Sequence, residues 1–98
     1  MSSGEILADE LKEVGVSASA LARQLDVPAN RISEIIRGRR SITGDTALRL
    51  GHWFGTTPQF WLNLQAAYDL RVAIEEAGQA IERLPKRADE GARSVHVT

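Results

Sequence analysis

Residues 17–37 read SASALARQLDVPANRISEIIR, and this stretch decides the fold. Two short apolar-periodic segments flank a tight break at Asp26-Val27-Pro28. From Ala18 to Leu25, the residues Leu21, Ala22 and Leu25 share one helical face. From Pro28 onward, Ile32, Ile35 and Ile36 do the same, again at i, i+3 and i+4 spacing. So short a break forces the two helices to cross steeply and touch beside it, and Ala22 is small where a close crossing needs it. The pattern predicts a helix-turn-helix whose second helix is offered to a DNA major groove.

The turn is specified by unusual letters. Asp26 occupies a spot where a left-handed residue is often needed, and aspartate tolerates that region better than most non-glycine residues. Pro28 biases Val27 to an extended conformation and is acceptable as the first helical residue. Ser17 is the expected N-cap of the first of the two helices. Ala20 stands where a glutamate would complete a capping box, so that box is absent.

The other face of the second helix carries chemistry. Opposite its isoleucines fall Asn30, Glu34 and Arg37, with Ser33 on the flank and Ala29 near the entry. An ordinary solvated face would carry lysine and glutamate. Asparagine and serine are mediocre helix formers, but asparagine pairs with adenine and arginine with guanine. Arg37-Gly38-Arg39-Arg40 leaves the helix: Gly38 suits a left-handed C′ position, and the arginines suit phosphates beside the groove. The competing reading is a polar helix face followed by a basic loop. The tight break and the arginine cluster together favour a DNA face.

At 98 residues the chain is expected to form one small domain with an appendage. Its net charge of −1 argues against indiscriminate nucleic-acid binding. The distribution says more. Residues 1–13 hold Glu5, Asp9, Glu10 and Glu13 against Lys12, whereas residues 31–40 hold Arg31, Arg37, Arg39 and Arg40 against Glu34. A local basic patch can attract phosphates while an acidic pole, or simply a solvated acidic face, lies elsewhere. There is no cysteine, hence no disulfide framework or thiolate metal site. No apolar run approaches the ~18 residues needed to span a membrane, and the N-terminus has no basic stretch leading into an apolar core. A cytoplasmic protein without membrane partners is expected.

No constellation supports catalysis or a cofactor. His52 has no second histidine at helical spacing and His96 lies in the tail, so neither has metal-ligand spacing. No glycine-rich phosphate loop follows a strand. Ser17, Ser19, Ser33 and Ser41 are better explained as caps and loop residues than as nucleophiles. Trp53 and Trp61 follow the apolar periodicity of their helices and read as core.

Outside the central stretch, residues 1–3 read as a polar lead and Gly4 to Glu13 as a helix ended by Val14-Gly15-Val16. Thr43 is the expected cap of a fourth helix, whose buried side is Ala47, Leu48, Leu50 and Phe54 and whose end is Gly55. Thr57-Pro58 starts a fifth, with no stop before Pro85 and a weak point at Gly78. Within it, Phe60, Trp61, Leu64 and Tyr68 are expected to close the core. Leu70, Ile74, Ala77, Ile81 and Leu84 then repeat as a heptad seam that wants a partner, the alternatives being fold-back on the first helix or fraying. The expected layout is an all-α chain of five helices. Residues 1–70 form the DNA-binding domain, 71–85 continue the fifth helix as an association segment, and 86–98 are a mobile tail whose end, Ser94 to Thr98, is β-prone.

Over roughly Gly4 to Leu70, about two thirds of the chain, the sequence resembles the HigA-type antitoxins among the lambda-repressor-like, Xre-type helix-turn-helix proteins, on the residues LADELKEVGVSASALARQLDVPANRISEIIRGRRSITGDTALRLGHWFGTTPQFWLNLQAAYDL. The most specific parts are GRRSITGDTALRL and FWLNLQAAYDL. The resemblance implies a five-helix lambda-repressor-like domain, dimerisation, binding to palindromic operator DNA with repression of its own operon, and neutralisation of a RelE-like, HigB-type ribonuclease toxin. A repressor of the same fold without a toxin partner is the alternative, and an interaction domain that has lost DNA binding is a third reading. By position, the base-contacting residues are Ala29, Asn30, Ser33 and Arg37. Ser17, Arg31, Arg39 and Arg40 are the phosphate contacts. Asp26 stands where the family usually has glycine, and Pro28 where it usually has a capping serine or threonine, which removes one expected phosphate contact.

Overall fold

The computed structural model describes residues 2–87. Five α-helices follow one another: α1 (Ser3–Val14), α2 (Ala18–Leu25), α3 (Arg31–Ile36), α4 (Gly44–Phe54) and α5 (Pro58–Glu82). The expected mobile tail lies, from residue 88 on, outside the described residues. Among the described residues there is no strand, and no helix is long and apolar enough to cross a membrane.

Local chemistry sets most of the boundaries. Ser2 and Glu5 form a capping box, so α1 begins one residue earlier than the expected polar lead allows, and Ser3 is buried. Gly15 ends α1 in the left-handed region. Ser17 Oγ accepts from the Ala20 N–H at 3.1 Å and caps α2. Asp26 ends α2 left-handed at φ 58°, with its own N–H and that of Val27 turned back onto Arg23 and Ala22 carbonyls.

The start of α3 differs from expectation. Pro28 is not its first residue; regular helix begins at Arg31. The Pro28 carbonyl accepts the Arg31 N–H at 2.9 Å, closing a tight i to i+3 turn over Ala29 and Asn30 before the helix settles. Gly38 then closes α3 as expected, left-handed, with Arg39 N–H on the Glu34 carbonyl and Gly38 N–H on that of Ile35.

The core lies where α1, α2, α3, α4 and the start of α5 meet, on Leu7, Leu21, Ala22, Ile32, Ile35, Leu50 and Trp61. Three expected members are absent: Tyr68, half-buried where α5 begins to leave the bundle, Leu48 and Phe60. Leu48 is 61% exposed, because the inward stripe of α4 runs Thr46, Ala47, Leu50, Gly51 and leaves residue 48 outside it. Phe60 is 41% exposed and only touches the core edge-on, its ring 5.1 Å from that of Trp61. Trp61 takes the interior place, packs on Phe54 at 5.2 Å and donates from Nε1 to Thr56 Oγ1 at 2.8 Å.

Two close contacts fix the helix-turn-helix against its surroundings. Gly4 brings α1 onto the end of α3, where an added Cβ would lie 2.5 Å from the Ile35 carbonyl oxygen. Gln65 is buried on α5 and joins three segments. Its Oε1 accepts from Ile42 N–H at 2.8 Å and from Ser3 Oγ at 3.1 Å, and its Nε2 donates to Asp69 at 2.9 Å.

Beyond Tyr68, α5 leaves the bundle. Leu70, Ile74, Ile81 and Leu84 are 57–63% exposed, and Ala77 is half-buried. The seam therefore does not fold back on α1. Regular helix stops at Glu82 rather than running to Pro85, since the residue before a proline is pushed out of the helical region.

Candidate nucleic-acid interface

The short α3 presents a polar surface because its three isoleucines point inward and its first turn is preceded by an exposed loop. Ala29, Asn30 and Arg37 are exposed and Ser33 is half-buried at the edge of the same face. Ser33 Oγ donates to the Asn30 carbonyl at 3.1 Å, which leaves its lone pairs outward. Asn30 makes no side-chain cap bond to α3. Its Nδ2 instead lies 3.4 Å from Glu34 Oε2, a long contact.

The expected phosphate contacts flank this face. Arg39 and Arg40 are exposed in the segment after α3, Arg31 is half-buried at its start, and Ser17 is exposed at the start of α2. Arg37 and Arg39 enter no ion pair among the described residues, so their charge is available. Arg40 is engaged: its Nε donates to Glu34 Oε1 at 3.1 Å. Ser17 spends its oxygen on the α2 cap, and its hydroxyl lies 3.4 Å from that of Ser19.

Three residues that shape the site escape sequence reasoning. Arg49 on α4 reaches back to the turn: Nη1 donates to the Leu25 carbonyl at 2.7 Å, while Nε donates to Asp45 Oδ2 at 3.0 Å. The Asp45 carboxyl is held below its ordinary value, first by the hydrogen bond from Arg49; desolvation opposes this, and the charges of Arg49 and Arg31 add to the lowering. The Arg49 guanidinium is correspondingly pushed up by Asp45. The i, i+4 spacing of Asp45 and Arg49 signals their pairing, but nothing local signals that the fork would also brace the carbonyl beside a left-handed residue. Gln65 holds the α3–α4 connection through Ile42, and its polarity inside a bulky run is the one signal it offered. Glu34, on the exposed face of α3, accepts from Arg40 and makes the long contact with Asn30, ties that its sequence position does not announce.

Among the described residues no group of histidine, aspartate and glutamate side chains is arranged to hold a metal. The arrangement presents short hydrogen-bonding side chains on a rigid helix, bordered by arginine cations. It suits a surface that carries regularly spaced negative charge around readable edges.

Comparison with known proteins agrees. A family model described as helix-turn-helix matches residues 7–61. The chain is 48% identical over 95 residues to virulence-associated protein I of Dichelobacter nodosus, spanning 96% of this chain and 86% of that protein. The structure of an addiction module antidote protein of the HigA family from Coxiella burnetii superposes with a TM-score of 0.86 at 50% identity, covering 90% of this chain and 97% of that one. The Pseudomonas aeruginosa antitoxin HigA, solved with the higBA promoter, gives 0.84 at 45% identity, covering 88% and 95%. A helix-turn-helix braced by α4 and α5, matched along nearly the whole length of HigA proteins, places this chain in the HigA-type antitoxin branch of the Xre-like helix-turn-helix family.

Proposed function

We propose that this chain is the antitoxin of a type II toxin–antitoxin module: it binds operator DNA as a homodimer, represses its own operon in the cytoplasm, and neutralises a RelE-like, HigB-type ribonuclease toxin. The observation that carries the DNA half is the exposed polar face of α3, with unpaired Arg37 and Arg39 beside it. A relative at 45% identity was solved with its promoter, which supports the same use here. Ala29, Asn30, Ser33 and Arg37 meet base edges; Ser17, Arg31, Arg39 and Arg40 meet phosphates.

The homodimer rests on the outer half of α5. Its exposed stripe borders a groove of ≈ 400 Å³ lined by Leu70, Ala73, Ile74, Gly78 and Ile81. Burying a leucine or isoleucine stabilises by about 1.5–3 kcal/mol, so two from each chain make a useful contact. One recognition helix reads only a few base pairs, whereas two related by a twofold axis read half-sites about one helical turn apart. Residues 1–70 are then the reading unit and 71–85 the association segment.

The test begins with DNA from upstream of the gene. Asn30→Ala and Arg37→Ala should each cost about 1–3 kcal/mol at the specific site without changing the circular dichroism spectrum. Arg39→Ala and Arg40→Ala should weaken binding to all sequences alike and lower the salt slope by roughly one unit each. Unaltered operator affinity in both α3 variants would remove α3 from the interface. For the toxin half, the chain is co-expressed with the product of the adjacent reading frame; co-purification with relief of growth arrest supports the antitoxin. Binding to DNA with neither leaves a repressor without a toxin.

A further inference from the structure

Glu34 is the one acidic side chain on the face that α3 offers to DNA. A carboxylate there is repelled by every nearby phosphate. It sits among groups given to binding, and both of its oxygens are engaged. Oε1 accepts from Arg40 Nε at 3.1 Å, and Oε2 lies 3.4 Å from Asn30 Nδ2. The side chain keeps 30% of its surface, so it is accessible to a ligand while held in place.

The lone pairs and protons left over are informative. A carboxylate oxygen accepts more than one hydrogen bond, and an amide nitrogen carries two protons. With one proton turned towards Glu34, Asn30 still has one donor and one acceptor outward, the pair a bidentate contact to adenine requires. With Arg40 on one side, the charge of Glu34 is locally balanced. Its remaining lone pairs accept only, so a base edge must bring a donor to them. In the major groove that donor is an exocyclic amino group, and the pairing suited to glutamate is the N4 amino group of cytosine.

We propose that Glu34 is a specificity-determining residue, which accepts a hydrogen bond from a cytosine amino group in the half-site and rejects duplexes that offer an acceptor there. This rests on the reading of α3 as the recognition helix. Glu34 acts in two directions. On a matching site its repulsion by phosphate is offset by the base contact. On any other sequence the repulsion stands.

The experiment selects bound sequences from a randomised half-site library with the wild-type chain, Glu34→Ala and Glu34→Gln. Affinities for the selected site and for an unrelated duplex are measured alongside, with circular dichroism melts as the control for folding. The wild type should show cytosine at one position by about tenfold. Glu34→Ala should lose that preference alone and bind the unrelated duplex several-fold more tightly. Glu34→Gln should shift the same position towards adenine, which a glutamine amide pairs with. If both variants keep the wild-type base profile, or weaken binding to all sequences equally, Glu34 merely positions Arg40 and the proposal is overturned. A wild-type chain with no base preference at all overturns the recognition-helix reading itself, and that outcome is visible without any variant.

Discussion

The two halves of α5 carry apolar residues at similar helical spacing, yet Trp61 keeps 1% of its surface and Ile74 keeps 59%. In the first half, α4 and α1 cover one face of the helix, and a buried polar residue, Gln65, accepts from Ser3 and Ile42 and donates to Asp69. In the second half the stripe is left uncovered among the described residues. Spacing decides which residues share a face; only the neighbours decide whether that face is buried. The four shorter helices gather at the first half of α5 and end there, so among the described residues the second half projects beyond them.

The sharpest way to break this contrast is within one pair of adjacent aromatics. Trp61→Ala should destabilise the domain by about 3–5 kcal/mol, the usual loss for a buried aromatic truncated to alanine. Phe60→Ala, at a 41% exposed position, should cost well under half of that. Urea denaturation of both variants measures the difference. Equal losses would mean that Phe60 belongs to the core after all.

Gln65→Leu comes next. The change preserves bulk but strips the partner from the Ile42 N–H and the Ser3 hydroxyl, both of which are buried. An unsatisfied buried group costs about 1–3 kcal/mol, so the midpoint of unfolding should fall although the residue has become more hydrophobic. A rise in stability would show that the polar hub is dispensable.

Ile74→Asp probes the outer half. At a 59% exposed site it should leave the unfolding midpoint of a dilute sample nearly unchanged. If the stripe is the homodimer contact, light scattering should show a shift to monomer and operator affinity should fall in step. A variant that remains dimeric removes the seam from that role.

These contrasts follow the line between what was readable in the chain and what was not. Ser17, Asp26, Gly38, Thr43, Gly55 and Thr57-Pro58 mark helix ends through bonds that close within a few residues, and each behaves as read. The start of α3 was misplaced because proline is compatible both with a first helical turn and with the tighter turn that forms here. Leu48 and Phe60 were read as core from their type, but their place relative to the buried stripe depends on where neighbouring helices lie. In the candidate interface, the residues proposed to read bases are visible in the sequence as a polar face. Arg49, Gln65 and the ties of Glu34 were not, because their partners are brought close only by the fold or by the loop after α3.

The smallest expected effect concerns Asp45 and Arg49, the staple that ties α4 to the turn between α2 and α3. The outer half of α5 has no counterpart to it among the described residues. Asp45 is exposed, so solvent screens the pair and its contribution is modest. Its direction is nonetheless fixed. The carboxyl is held below its ordinary value of 3.8, chiefly by the hydrogen bond from Arg49. A group with a depressed folded-state pKa contributes stability that is present above the unfolded value and is lost as pH falls through the folded one. Asp45→Asn should therefore be slightly less stable than wild type at neutral pH. The gap should hold down to about pH 4 and close below 3.8, as the wild-type carboxylate takes up its proton. Urea midpoints compared across that range measure it. A gap that stays constant to pH 2 would mean that the charge of Asp45 contributes nothing, and that Arg49 braces the Leu25 carbonyl without its help.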